Sequence, residues 1–341
     1  MNLHEKFPQL INQPHISDWL SMQVNLTLAD SSIEAYARAL IDYVDFCGTL
    51  SIDLNNASRQ HIAQYVRDLA VRPVIKSVTK CQEGYANATM KQRITALRGY
   101  YTYLKEEKLR DDNPVRTGVY TKNKSFGGNR CGLLPHYEKL PWIPTEEQWI
   151  SILEAARNEP IRNRLMLAMS YDAGLRREEI CSLSTGDIDP SHRLLSLRAE
   201  VTKSRRGRVV PYSVHTGKLY VDYLHHRRQI NRTHESLFLS ESRRNRGQQI
   251  TISTWSKAVR ELALRAGVPQ FTPHTLRHLC FTDLARAGWD IHEIATFAGH
   301  RDINTTMIYI HLSGRELAAK VARSMNSIHA WRIQEMQKRL L

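Results

Sequence analysis

The chain has 341 residues, and 48 lysines and arginines against 34 aspartates and glutamates give it a formal net charge of +14. Hydrophobic residues make up 42% and charged residues 24%, a balance that excludes a wholly disordered or fibrous chain and leaves room for two domains. No stretch approaches the roughly 18 apolar residues of a membrane span, and the first residues lack the pattern of a secretory signal. We therefore expect a cytoplasmic protein with no membrane partner.

The positive charge indicates a polyanionic partner, because lysines and arginines that neutralise phosphates release condensed counterions. Residues 141–341 carry most of the excess, with 30 basic and 20 acidic side chains. A basic surface that is only well solvated is the alternative for the charge alone. The five cysteines form no Cys-x-x-Cys pair, so we expect reduced thiols and neither a zinc site nor a redox dithiol.

The spacing of apolar residues in the first part of the chain predicts helices. Ser31 and Glu34 have the spacing of a capping box at the start of one helix, and two more are expected over 59–69 and 87–108. Together they predict a small helical N-terminal domain with a basic face over residues 12–112, a face that suits a polyanionic partner such as DNA. The last helix carries cations outside its apolar stripe, which we assign to DNA contact, with a solvated outer face as the alternative. These cations are Lys91, Arg93 and Arg98.

A segment rich in Gly, Pro, Asn and Lys, over residues 113–142, predicts a linker. A second domain is expected over 143–325, followed by a C-terminal tail over 326–341. The elements predicted in the second domain are helices from Thr145 and over 161–171, and strands over 194–197 and 208–212, before helices resume. This order predicts a mainly α fold with a small β-sheet in the second domain, an α+β class.

The first motif with chemical content is a glycine turn at Gly174 that leads into a helix. Arg176 stands at the start of that helix, and Glu179 lies three residues further on, within reach of Arg176. An ordinary surface ion pair is the alternative to a functional arginine at this position.

The second motif is a basic turn between the two predicted strands. Lys203 stands at the mouth of this turn, where a lysine that is only solvated is the alternative to a functional one. Cations follow it, and we assign them to DNA contact. These cations are Arg205, Arg206 and Arg208.

The third motif lies on a helix that begins at Pro273. His274 and Arg277 are three residues apart, which places both on one face of the helix. His274 and His278, four residues apart, have a spacing that metal ligands also use. No glutamate accompanies them and no third ligand is spaced to fit, so we predict no metal site.

The fourth motif pairs His300 with Tyr309, nine residues later. Tyr309 ends an apolar helical run, and a packed core tyrosine is the alternative when this motif is taken alone. The full set changes that interpretation. Two arginines, a lysine, two histidines and a tyrosine are what a metal-free transesterification of a phosphodiester requires.

Each residue of the set has an expected role in such a reaction. Arg176 and Arg277 present guanidinium groups that match the negative charge on the oxygens of a pentacoordinate phosphorus. Tyr309 is the expected nucleophile, and the hairpin lysine is the expected acid that protonates the leaving 5′ oxygen. His274 and His300 are expected to exchange the tyrosine proton or to bind a phosphate oxygen, and which does which is left open.

At these residues the sequence resembles the tyrosine recombinases, the family of phage integrases and Xer-like recombinases. The residues that carry the resemblance, in the family's order, are Gly174-Leu175-Arg176-x-x-Glu179, Lys203 to Pro211, His274-x-x-Arg277, and Gly299-His300 followed by Tyr309. The resemblance implies a C-shaped clamp in which the helical N-terminal domain and the catalytic domain close around duplex DNA. It also implies that Glu179 supports the first arginine without transferring protons. By the same resemblance the tail docks on a neighbouring protomer, with packing on its own domain as the alternative.

The resemblance further implies a site-specific DNA recombinase that works through a 3′-phosphotyrosyl link and a Holliday junction, with no cofactor and no metal. Its implied partners are double-stranded DNA with inverted repeats and three further copies of itself, in a homotetramer on two sites. An accessory protein, a monomer off DNA, and the choice among integration, excision and resolution of a mobile element or replicon are left open. The alternatives are a type IB topoisomerase that relaxes DNA and a catalytically silent DNA-binding protein of the same fold.

Overall fold

The computed structural model describes residues 3–10, 12–77, 80–115, 133–134, 140–202, 205–312 and 332. The chain divides into two units, Met1–Glu138 and Lys139–Leu341. This division falls inside the predicted linker, residues 113–142, most of which lies outside the described residues. The predicted tail, residues 326–341, also lies outside them apart from Arg332.

The first unit is helical, as the sequence predicts. Its helices are α1 (Leu3–Lys6), α2 (Pro14–Asn25), α3 (Asp30–Thr49), α4 (Arg59–Val71) and α5 (Asn87–Glu106). The helices expected over 59–69 and 87–108 are therefore confirmed. The sequence did not predict the antiparallel hairpin of β1 (Pro73–Ser77) and β2 (Lys80–Glu83), which lies between α4 and α5.

The predicted capping box at the start of α3 is wrong. The helix begins at Asp30, one residue before Ser31, and Ala29 at its N-cap makes no side-chain hydrogen bond. The carboxylate of Glu34 instead pairs with Lys6 and Arg38, so it does not reach back to the helix start. Asp30 in the first turn places a negative charge at the positive end of the helix dipole.

Tyrosines fill much of the core of the first unit. Tyr43 of α3 and Tyr101 of α5 are fully buried, and their hydroxyl groups lie 3.2 Å apart. The buried Tyr65 of α4 donates a hydrogen bond of 2.6 Å to Asp42. These contacts join three helices, so this unit has a hydrophobic core of its own.

The second unit has the predicted α+β composition. Its helices are α6 (Glu146–Ala156), α7 (Ile161–Asp172), α8 (Arg177–Cys181), α9 (Val214–Ile230), α10 (Ile252–Arg265), α11 (Pro273–Arg286), α12 (Ile291–Ala298) and α13 (Asn304–Leu312). Its antiparallel sheet has the order β3 (Ile188–Asp189), β4 (Leu194–Leu197), β5 (Arg208–Pro211). The predicted strands and the two predicted helices are confirmed. Across the described part of the chain, no helix is both long and apolar enough to cross a membrane.

The helix α11 connects the two apolar clusters of the second unit. It begins at Pro273, where the absence of a backbone N–H has no cost, and packs against α7, α12 and α13. Leu276 points into the larger cluster, whereas Cys280 and Phe281 lie in a smaller one with Tyr309 of α13. The helix thus brings residues near position 277 and residues of α13 into the same region.

Candidate active site

The turn at Gly174 requires glycine and sets the position of Arg176. Its φ is +55°, and a Cβ atom there would lie 2.4 Å from the Phe281 ring. Arg176 follows as the N-cap of α8, where its backbone N–H and its Nη1 donate to the carboxylate of Glu179 at 2.9 and 2.8 Å. The Glu179 side chain is 1% exposed and that of Arg176 is 17% exposed, so this is not the surface ion pair that was the alternative.

Arg208 holds the other side of the same carboxylate. Its Nη1 and Nη2 donate to the two oxygens of Glu179 at 3.0 and 2.8 Å, and its Nε donates to the carbonyl of Phe297 at 3.0 Å. The side chain is 7% exposed. We therefore correct the assignment of Arg208 to DNA contact, because its donors are used inside the domain.

The alternation of β5 explains this correction. Arg208 and the buried Val210 lie two residues apart and share the inner face of the strand, while Val209 between them is exposed. Gly299, which has a φ of +63°, lets Arg208 approach the end of α12, since a Cβ there would be 3.0 Å from the arginine Cδ. Strand periodicity in the sequence would have placed Arg208 inside.

Glu179 is ionised in this environment. Burial alone would raise its pKa, but hydrogen bonds and positive charge from Arg208, with the backbone N–H of Arg176 and the charge of Arg277, lower its pKa to about 2. A carboxylate with this pKa does not exchange protons near neutral pH. It acts as a fixed negative charge that orients arginines.

Arg277 is the most enclosed cation of the site. It is 3% exposed, its Nη1 donates to the carbonyl of Gly174, and its Nη2 donates to the carbonyl of Ala298 at 2.7 Å. Its guanidinium carbon lies 4.6 Å from the centre of the Phe281 ring. Burial and the nearby charge of Arg176 lower its pKa to about 9, so it remains a cation at neutral pH.

His274 lies at the surface of the site, in the first turn of α11 and three residues before Arg277, as predicted. Partial burial of its ring, together with Arg177, Arg277 and Arg176, lowers its pKa, although Glu178 opposes this effect. Its imidazole is therefore neutral near pH 7 and accessible to a ligand of the site.

His300 is held by two hydrogen bonds. Its Nε2 lies 3.1 Å from Nη2 of Arg277, and its Nδ1 lies 2.8 Å from Oγ1 of Thr306. Because the arginine only donates, Nε2 accepts, and the ring proton resides on Nδ1 and is donated to Thr306. Burial and the cations Arg277, Arg176 and Arg208 lower the pKa of His300 to about 3.

Tyr309 is buried, with 2% exposure, and its ring packs edge-on against Phe281 at 5.2 Å between centres. Its hydroxyl lies 3.1 Å from Nδ1 of His278. Burial raises the pKa of Tyr309 to about 12, against the opposing charges of Arg277 and Arg176. The packing expected of a core tyrosine is thus combined with a hydroxyl that reaches a histidine.

Sequence reasoning predicts no catalytic role for His278. It was considered only as a metal ligand with His274, and their rings lie 6.4 Å apart at their centres. Its contact with Tyr309 joins α11 to α13, 31 residues apart in the chain. The sequence does place His278 on the helix that carries Arg277, directly after that residue. The spacing of residues along the chain does not show that His278 contacts Tyr309.

The basic turn between β4 and β5 is described in part. Lys203 lies outside the described residues. Arg205 and Arg206 are exposed at the turn, where Thr202 accepts a hydrogen bond of 3.1 Å from the backbone N–H of Arg206. Both side chains are therefore accessible to an anion outside the protein.

The cations predicted on α5 differ in their surroundings. Arg93 pairs with Asp42, and its guanidinium carbon lies 4.1 Å from the centre of the Tyr85 ring. This placement favours a structural role for Arg93 over the predicted DNA contact. Lys91 is half-buried, and Arg98 is half-buried with Nε donating to the carbonyl of Val115 at 3.2 Å.

Comparison with known sequences identifies a protein family whose match includes the residues of this site. Residues 144–316 match the phage integrase family, and residues 18–108 match the phage integrase N-terminal SAM-like domain. A tyrosine recombinase from Pseudothermotoga lettingae is 28% identical over 305 residues, which cover 89% of this chain and 94% of that protein. Tyrosine recombinase XerD from Oceanobacillus iheyensis is 26% identical over 306 residues, which cover 87% of this chain and 92% of that protein.

Two solved structures share the fold. One is XerH site-specific recombinase bound to a palindromic difH substrate in a post-cleavage complex, with a TM-score of 0.63, 23% identity, and coverage of 86% of this chain and 79% of that chain. The other is the Tn1549 transposon integrase in complex with transposon right end DNA, with a TM-score of 0.63, 15% identity, and coverage of 90% of this chain and 99% of that chain.

Proposed function

The chain belongs to the phage integrase family of tyrosine recombinases, and we propose that it cuts and rejoins DNA strands through a phosphotyrosyl intermediate. The observation that carries this proposal is the gathering of Tyr309, His300 and Arg277 around one small region, with Arg176 bound to the same Glu179 that Arg208 holds. The family match covers this entire set of residues. Site-specific recombination is therefore the activity that we assign.

In the proposed reaction the two arginines bind the scissile phosphate. Arg176 and Arg277 place positive charge where negative charge develops on the non-bridging oxygens. Glu179 accepts a hydrogen bond from the first arginine and is itself held by Arg208, so little reorganisation is needed when the phosphate enters. Donors fixed in this way stabilise negative charge more strongly in a buried site than in water.

Tyr309 then attacks the phosphorus. The bond from its oxygen to phosphorus forms as the bond to the 5′ oxygen breaks, which leaves a 3′-phosphotyrosyl link and a free 5′ hydroxyl. Lys203 is the proposed donor of the proton that the leaving 5′ oxygen requires. The free hydroxyl of one strand attacks the link on the partner strand, and two rounds of exchange proceed through a Holliday junction.

The proposed partner is double-stranded DNA with inverted repeats, bound by four copies of the chain on two sites. This is supported by the net positive charge and by the fold shared with XerH and the Tn1549 integrase, whose structures contain DNA. The candidate DNA contacts are Lys91, Arg98, Arg205 and Arg206. The proposed event is integration, excision or resolution of a mobile element or replicon.

The DNA beside the gene is first sequenced for inverted repeats, and a plasmid with two copies of such a repeat then tests this function. We expect exchange of the DNA between the copies with the natural chain and none with Tyr309→Phe, which removes only the nucleophilic oxygen. Tyr212→Phe is the matched control, because that hydroxyl is buried and makes no hydrogen bond to the described residues. Relaxation without exchange would support a type IB topoisomerase instead, and binding without either product would support a silent DNA-binding protein.

A further inference from the structure

We infer that His278 is a further catalytic residue of this site, and that its Nδ1 accepts the proton that Tyr309 loses during the attack on phosphorus. The inference rests on the proposed function, since it assigns a proton acceptor to the same nucleophile. It adds a third histidine to the two that the sequence selected.

His278 contacts the hydroxyl oxygen of Tyr309, which is the atom that attacks phosphorus in the proposed reaction. Its Nδ1 lies 3.1 Å from the hydroxyl oxygen of Tyr309, within the range of a hydrogen bond, and the two ring centres are 5.9 Å apart. A general base must reach the proton that it removes, and this contact meets that requirement before any substrate is bound. The helices α11 and α13 that carry the two residues pack directly on each other.

The nitrogens of His300 are occupied elsewhere. Its ring is parallel to that of Tyr309, with 9° between the planes and 6.3 Å between the centres, but its Nδ1 is bound to Thr306 and its Nε2 to Arg277. An imidazole that donates at one nitrogen and accepts at the other has no lone pair left for the phenol proton. This leaves His300 to position Arg277.

The protonation state of His278 suits an acceptor. The groups around it are His274 and Arg277 on its own helix, and Tyr309 and His300 from the C-terminal side of the unit. Burial, His274 and Arg277 lower its pKa to about 4, so the ring is neutral near pH 7. A neutral ring that accepts at Nδ1 carries its proton on Nε2.

Proton transfer becomes favourable as the reaction proceeds. The phenol becomes strongly acidic once its oxygen begins to bond to phosphorus. The entering phosphate offsets the charge of Arg277, which adds to burial and His274 in keeping the imidazole neutral. The phenol proton moves to Nδ1 of His278 while a proton from Lys203 moves to the 5′ oxygen. In rejoining, the imidazolium returns its proton to the tyrosine oxygen, which restores the starting state.

The test is a single-turnover cleavage assay with His278→Asn, in which the amide keeps a hydrogen-bonding group near the Nδ1 position but cannot accept a proton. The substrate is a nicked duplex with a 5′-bridging sulfur, whose departure needs no acid, so that the rate reports on the tyrosine side alone. We expect the natural chain to cleave at a constant rate between about pH 6 and pH 9. We expect the variant to be roughly 10²- to 10⁴-fold slower, with a rate that rises about tenfold per pH unit as hydroxide replaces the imidazole.

His292→Asn is the matched control, because this histidine is exposed on α12 and should leave both the rate and its pH dependence unchanged. In a second variant, His278→Ala, added imidazoles should restore the cleavage rate, and the more basic imidazoles should restore it more, if the residue accepts a proton. A constant rate near that of the natural chain in His278→Asn, or no response of His278→Ala to imidazole, would overturn the inference. Failure of the natural chain to form an adduct would contradict the proposed function itself, which separates the two results.

Discussion

In the first unit, two partly buried arginines face two carboxylates. Arg72 lies 2.7 Å from Asp42 and also pairs with Asp68, while Arg93 pairs with Asp42. Burial alone lowers the pKa of each arginine, but the hydrogen bonds and charges of the carboxylates more than offset this and raise it. The charges of this cluster balance within the domain.

In the second unit, one carboxylate faces three arginines. Glu179 bonds Arg176 and Arg208, and the charge of Arg277 also acts on it. The pKa of Arg277 is lowered to about 9, by burial first and then by Arg176, which is the opposite of the shift in the first unit. Positive charge is in excess here.

The difference separates a structural cluster from a functional one. A balanced cluster gains nothing from a further anion, whereas a cluster with excess buried cations is stabilised by one. Two guanidinium groups around an oxygen-rich anion are the arrangement that matches a phosphate. We therefore interpret the first cluster as part of the fold and the second as a site prepared for the scissile phosphate.

The largest expected effect comes from removing cations of the second cluster. Arg176→Ala and Arg277→Ala should each slow cleavage by on the order of 10² to 10³-fold or more, since one preorganised donor contributes about 3 to 4 kcal/mol to the transition state. The measurement is the rate of phosphotyrosyl formation on a nicked duplex. Arg93→Ala is the matched control, and it should lower the stability of the first unit without slowing cleavage by the folded protein. Near-normal cleavage in either site variant would remove that arginine from the phosphate clamp.

The next effect is on stability. Glu179→Gln removes the negative charge that holds Arg176 and Arg208, and breaking a buried pair in this way costs roughly 3 to 5 kcal/mol of unfolding free energy. Asp42→Asn should cost less, because Asp68 remains to pair with Arg72. Denaturant unfolding of the two variants measures both losses. Equal losses would show that the two clusters do not differ in charge balance.

Acidification should weaken the second unit in a range set by its buried histidines. The pKa of His278 is about 4 and that of His300 about 3, against an ordinary value of 6.5, so the unfolded chain binds these protons first as the pH falls. Stability is therefore present above about pH 6.5 and is lost as the pH falls toward those values, by about 1 to 2 kcal/mol per histidine at pH 5.

The histidine contribution can be separated from that of the carboxylate. Glu179, with a pKa of about 2, contributes stability that is present above its ordinary value of 4.5 and is lost only below it. His278→Asn should reduce the loss between pH 6.5 and pH 5 in thermal unfolding curves. An unchanged loss in this variant would mean that His278 is not neutral in the folded chain.

The smallest expected effect is that of a chelator. Side-chain cations are proposed to bind the phosphate, so cleavage should keep its rate in excess EDTA. The rate with and without EDTA, on the same nicked duplex, measures this directly. Activity that disappears with EDTA and returns with Mg²⁺ would require that the histidines be reconsidered as ligands.

Local patterns in the sequence predicted several helices and the strands β4 and β5, but not the hairpin of β1 and β2. Other predictions failed where a contact between distant positions engages the residue. The spacing of His274 and Arg277 needs only one helix, and that helix is present. The pairing of Arg93 with Asp42, 51 residues before it in another helix, has no signature in local spacing. The same is true of Glu34, the expected partner of Ser31, which is engaged by Lys6, 28 residues away.

The site itself was predictable where chemistry and spacing coincide. Tyr309 and His300 could be selected because a phosphate reaction needs their residue types and because their order and spacing resemble those of the tyrosine recombinases. The pairing of Arg208 with Glu179 required the sheet to close over α8, and the contact of His278 with Tyr309 required α11 to pack on α13. Neither contact has a signature in local spacing, since each joins elements about 30 residues apart.

The most direct test of the account is to locate the covalent link. The natural chain is incubated with a nicked duplex that carries its site, the adduct is digested with protease, and the peptide that retains a nucleotide is sequenced by mass spectrometry. The account predicts a single modified position, Tyr309, with the nucleotide attached through a 3′ phosphate. A nucleotide on any other residue, or attachment through a 5′ phosphate, would contradict it.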